Sequence, residues 1–137
     1  MENEKKYDKE NRIIYDFEPF TGTLHEYVYS YDGTERLVNI TNEKNTSNYK
    51  TIISQIKSGD NFIDKTKEEE GEIYITRITY NEKGQEIRLE KINKEKHTNL
   101  IKDTVRPEGS ETEIYVINYQ GKQTVGFKVN PFNLKKK

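Results

Sequence analysis

A single register accounts for the residues on both sides of Gln120-Gly121. If that pair is a two-residue turn joining strands over 111–119 and 122–130, Val116 faces Val125, Ile114 faces Phe127 and Thr112 faces Val129, so one face carries an apolar stripe. The other face then sets Glu113 against Lys128 and lays Tyr115 over the bare backbone of Gly126. A charge pair, a covered glycine and an apolar stripe from one alignment mark a β-hairpin.

Two more hairpins follow the same logic. Over 23–41 the tip is Asp32-Gly33, and a two-residue turn there pairs Tyr29 with Arg36, Tyr27 with Val38, His25 with Ile40 and, on the opposite face, Val28 with Leu37. Over 72–92 the turn lies at 81–84 and the register stays open. A four-residue loop opposes Ile78 to Ile87 but also Arg77 to Arg88, whereas a bulge at Gly84 opposes Arg77 to Leu89.

Between the first two hairpins in the sequence, Tyr49, Ile52, Ile53 and Ile56 recur at i, i+3, i+4 and i+7. With Thr46 and Ser47 as caps and Gly59 as a stop, this spacing predicts an amphipathic helix over 47–58. The charged run 65–70 reads as a solvated loop, and the polar lead 1–11 as a disordered tether. Residues 12–134 then form one β-rich domain, followed by a short basic tail at 135–137. The expected architecture is mainly β: an antiparallel sandwich or partly open barrel of six to eight strands with the helix packed on it. Its core is expected to include Val28, Leu37, Ile53, Ile56, Ile114, Val116, Val125 and Phe127.

Composition narrows the function classes. The 137 residues are 31% hydrophobic and 34% charged with a net charge of -1, which gives no clustered positive field for nucleic acid and no transmembrane segment. With no cysteine there are no disulfides, thiolate metal sites or cysteine nucleophiles. His25 and His97 stand in no metal or catalytic spacing, the run 68–72 lacks the alternating oxygen ligands of a calcium loop, and no glycine-rich phosphate cradle occurs. No cofactor, no metal and no enzymatic activity are expected. Alanine is absent while Lys, Asn and Ile abound, a coding bias that points to an AT-rich bacterium, phage or mobile element.

What stands out is tyrosine, with ten copies and no tryptophan. Tyr27, Tyr29 and Tyr31 alternate along one strand with Arg36 opposite, and such amphipathic rings fill sheet faces or anchor interfaces. These four residues form the candidate binding surface, and Arg36 is expected to make a cation–π contact with Tyr29. The reading is a non-enzymatic interaction protein that binds a protein partner, of the inhibitor, immunity or anti-defence type. The alternative is the soluble domain of an envelope-attached lipoprotein. The chain as written reads as cytoplasmic, or as extracytoplasmic if a signal peptide has been removed.

Overall fold

Alternating strands and short turns generate a meander, because each strand finds its hydrogen-bonding partner in the next one along the chain. The structure, a computed structural model, describes residues 2–44, 50–109 and 112–129, without the side chains of Phe127 and Val129. The strands are β1 (Glu4–Tyr7), β2 (Ile13–Glu18), β3 (Thr23–Tyr29), β4 (Glu35–Asn42), β5 (Lys50–Ser58), β6 (Asn61–Glu70), β7 (Tyr74–Tyr80), β8 (Glu86–Asn93), β9 (Asn99–Val105), β10 (Thr112–Tyr119) and β11 (Lys122–Val129). They form one eleven-stranded antiparallel sheet in chain order, open between β1 and β11.

Mainly β holds, but the arrangement is neither a sandwich nor a barrel of six to eight strands, and the described residues contain no helix. The predicted helix is β5. Thr51, Ile52 and Ile53 are consecutive β-branched residues that lose side-chain freedom in a helix and fit a pleated surface. In the sheet Ile53 sits between Val38 and Lys67, while Ile52 and Ile56 project from the opposite face. The caps Thr46 and Ser47 and the first apolar position, Tyr49, lie outside the described residues.

The charged run 65–70 is also strand, the second half of β6. A sheet without a covering layer leaves both faces wet, so charges are tolerated where they meet counter-charges. Lys65 reaches Glu35 at 2.7 Å, Lys94 reaches Glu70 at 3.2 Å and Arg77 lies 3.6 Å from Glu68. The polar lead, expected to be a tether, supplies β1 along the edge of the sheet, where Glu4 pairs with Phe17 and Lys6 with Tyr15.

Turn chemistry sets the registers. Gln120 and Gly121 have φ of 52° and 84°, the two positive values of a type I′ turn, and the pairing from Thr112–Val129 to Tyr119–Lys122 follows throughout. The β3–β4 register is likewise as expected, although the loop is longer: Ser30 donates its amide to Glu35 at 2.8 Å and Gly33 to Ser30 at 3.0 Å. Tyr31 and Asp32 are therefore the corner residues, with Gly33 in the left-handed position that follows such a turn. The β7–β8 hairpin takes neither anticipated register. An irregularity between Thr79 and Tyr80 sets Ile78 opposite Leu89 and Arg77 opposite Glu90, removing the arginine clash.

Directly paired residues share a face, so the sheet has a front face with Tyr27, Val38 and Ile53 and a back face with Val28, Leu37 and Ser54. Val38 is 4% exposed, and the buried polar side chains Thr51, Asn93 and Thr104 also lie on the front face. The expected core pointed partly the other way. Val28, Leu37, Ile56 and Val125 are exposed on the back face, Ile53, Ile114 and Val116 are half-buried, and the side chain of Phe127 lies outside the described residues. The front face is better covered because long side chains, Tyr27, Arg36 and Phe62 among them, lie over it.

Candidate functional site

The front face of β3 to β6 gathers one aromatic and cationic cluster. Pairing of Tyr29 with Arg36, Arg36 with Gln55 and Gln55 with Asp64 lines these side chains across four strands. Arg36 Nε donates to Gln55 Oε1 at 2.7 Å, and Gln55 Nε2 donates in turn to Asp64 Oδ1 at 2.8 Å. A polar relay thus fixes the plane of the guanidinium. Its carbon lies 4.0 Å from the Phe62 ring centroid, 4.8 Å from Tyr27 and 5.9 Å from Tyr29, while Phe62 meets Tyr29 edge-on at 6.2 Å. The anticipated Arg36–Tyr29 contact is present, and Arg36 Nη1 also donates to the Tyr29 hydroxyl at 3.3 Å.

Tyr29 is held from a third side. Its hydroxyl donates to the Ile13 carbonyl at 2.6 Å, and the Arg12 guanidinium lies 4.4 Å from its ring, itself tied to Asp8 at 2.9 Å. Burial raises the Tyr27 phenol above its ordinary value, and the Arg36 charge opposes that rise. His25 stacks beside Tyr27 with ring centroids 6.4 Å apart, filling a half-buried strand position.

The four sequence-derived site residues therefore divide. Tyr27, Tyr29 and Arg36 meet on the front face as half-buried groups. Tyr31 leaves that face at the β3–β4 corner and is fully exposed, at 108%. The corner is kept rigid by Asp32, whose Oδ1 accepts from the Ser30 hydroxyl at 2.9 Å, the Thr34 amide at 3.1 Å and the Thr34 hydroxyl at 2.7 Å. Phe62, Gln55 and Asp64 were missed by sequence reading. They enter only through the β4–β5–β6 pairings, which the expectation of a helix over 47–58 concealed.

A shallow depression of about 440 Å³ lies at the opposite end of the sheet between His97, Asn99, Ile101, Asn118 and Gln120. His25 and His97 do not meet there, and among the described residues no group of three His, Cys, Asp or Glu is placed to hold a metal. No helix among the described residues is long and apolar enough to cross a membrane. Comparison with protein-family models, characterised proteins and solved structures finds no match.

Proposed function

We propose that this is a non-enzymatic interaction protein that binds a protein partner at the β3–β4 corner and the adjoining front face. The observation that carries the reading is the arrangement of Tyr31 and Arg36. Tyr31 is a fully exposed ring on the β3–β4 corner, and on the adjoining front face a guanidinium is already oriented by Gln55 and stacked on Phe62. Anchors held in place before binding lose little entropy on association, and tyrosine with arginine are the residue types that most often carry interface affinity. An inhibitor, immunity or anti-defence factor acts through such a surface, covering its target without needing reactive groups of its own.

The envelope-lipoprotein alternative drew on the lead 1–11 as a tether. Within that lead Glu4–Tyr7 pair into the sheet as β1.

The test is comparative capture from a host lysate with two baits, the wild-type chain and Tyr31→Ala. A protein retained by the wild type and lost from the variant supports the proposal. Equal retention by both baits sinks it.

A further inference from the structure

A sheet with apolar side chains on one face ordinarily buries them against a second layer, yet here the described residues leave the back face uncovered. Val28, Leu37 and Ile56 are exposed near one flank and Val105 and Val125 near the other. The chain exposes 10215 Å² in all, where a compact monomer of this mass would expose roughly 7,500 Å². The excess, roughly 2,700 Å², is larger than the roughly 800 Å² per partner that a stable dimer contact needs.

The distribution of side chains across the back face says what fits it. Leu37, Ser54, Thr66, Thr79, Arg88, Asp103, Val116 and Val125 form one continuous cross-strand row, apolar at both ends and polar in the middle. In the neighbouring row Glu68, Arg77 and Glu90 occupy β6, β7 and β8. A twofold axis parallel to the strands and passing between β7 and β8 exchanges β4 with β11, β6 with β9 and β7 with β8. It lays Leu37 over the second copy's Val125 and Ile63 over its Val105. At the centre it brings Arg77 over Glu90, and by symmetry each of these contacts occurs twice.

We infer that the back face is the contact surface of a face-to-face homodimer, with the second copy of this chain supplying the missing layer. Two twisted sheets pack in this way with their strand directions about 30° apart and roughly 10 Å between layers. Leu37 meets Val125 at the flanks and Arg77 meets Glu90 at the axis, while Glu68 falls over Ile101, so the surface is complementary to itself at its flanks and centre. The front face, with Tyr27 and Arg36, stays outward, which makes the inference independent of the proposed partner site.

The absence of cysteine makes the test direct. Sedimentation equilibrium of the full chain gives a dimer mass, and Val125→Asp, at an exposed position, raises the dimer dissociation constant at least tenfold while its far-ultraviolet circular dichroism stays that of the wild type. Leu37→Cys and Val125→Cys chains are then mixed under mild oxidation. A disulfide-linked dimer forms in the mixture and in neither single variant, since within one chain β4 and β11 are seven strands apart and only the proposed axis brings 37 onto 125. A wild-type chain that remains monomeric at high concentration overturns the inference. So does a dimer that survives Val125→Asp, or one that gives no mixed disulfide, and the cross-link decides the matter should Val125→Asp fail to fold.

Discussion

Arg36 stacks its guanidinium carbon 4.0 Å from the centroid of Phe62, the shortest cation–ring contact among the described residues, across two intervening strand pairings. The contact ties β4 to β6 over the top of β5, and a bond from Arg36 to Gln55 on β5 itself holds it in plane. Arg36→Ala should therefore cost about 1–3 kcal/mol, less than the full sum of a desolvated cation–π contact and a charged hydrogen bond because Arg36 is only half-buried. Arg36→Lys should recover only part of it, because an ammonium can neither stack as a plane nor present the fork. Urea unfolding of the three proteins checks this, and equal stability of Lys and Ala variants with the wild type would mean the cluster contributes nothing to the fold.

Val28 and Val38 allow the same substitution to be compared on opposite faces of one hairpin, since they are 58% and 4% exposed. Val38→Ala should lose about 2 kcal/mol through lost burial and an incompletely filled gap. Val28→Ala should stay within about 0.5 kcal/mol of wild type, as exposed substitutions usually do. Denaturation curves in the reverse order would show that Val28, not Val38, is the packed member of the pair.

The type I′ turn at Gln120-Gly121 makes opposite predictions for its two positions. Gly121 has φ of 84°, and Gly121→Ala should destabilise the chain by about 1 kcal/mol or more because a Cβ is strained there. Gln120→Asn should raise the unfolding midpoint, since asparagine accepts the left-handed conformation that Gln120 already adopts at 52°. A midpoint lowered by Gln120→Asn would contradict the turn assignment.

Asp32 gives the β3–β4 corner a pH dependence. Hydrogen bonds from the Thr34 hydroxyl and amide, then from the Ser30 hydroxyl, hold its carboxyl below the ordinary value of 3.8. A group whose folded pKa is depressed stabilises the fold above its ordinary value and loses that contribution as pH falls through the lowered one. Protection of the Thr34 amide from exchange should therefore hold down to about pH 4 and fall below it, and Asp32→Asn should abolish the step. At the alkaline end Tyr27 runs the other way. Burial raises its pKa above 10.0, so its contribution is complete below that value and is lost as pH rises through the raised one.

Hairpins were readable because their information is local. Gly33 and Gly121 fix turns within a few residues, and the β3–β4 and β10–β11 pairings follow from them. What the sequence concealed came from the missing second layer. In a two-layer domain a strand shows apolar residues on one face, so Ile52, Ile53 and Ile56 suggested a helical stripe and the charges of 65–70 suggested a loop. In a single sheet with both faces wet, isoleucines on opposite sides of β5 and paired charges along β6 are compatible with strand. The same cause turned the core estimate partly inside out, since pattern alone does not tell which face of the Tyr27/Val38 and Val28/Leu37 pair is covered. Of the candidate site, Tyr29 and Arg36 were legible as a cross-strand pair. Phe62 was not, because its place depends on two pairings that involve β5.

The proposed recognition surface for a protein partner is the Tyr31 corner together with the Arg36 cluster on the adjoining front face. Calorimetric titration of the recovered partner into wild type and Tyr31→Ala, with unfolding midpoints taken in parallel, separates a binding role from a structural one. Tyr31 is fully exposed, so its ring has little packing to lose and stability should not move. An unchanged midpoint is expected together with a loss of roughly 2 kcal/mol or more in binding, the size of an interface anchor's contribution. Equal affinity of the two proteins for that partner would contradict it.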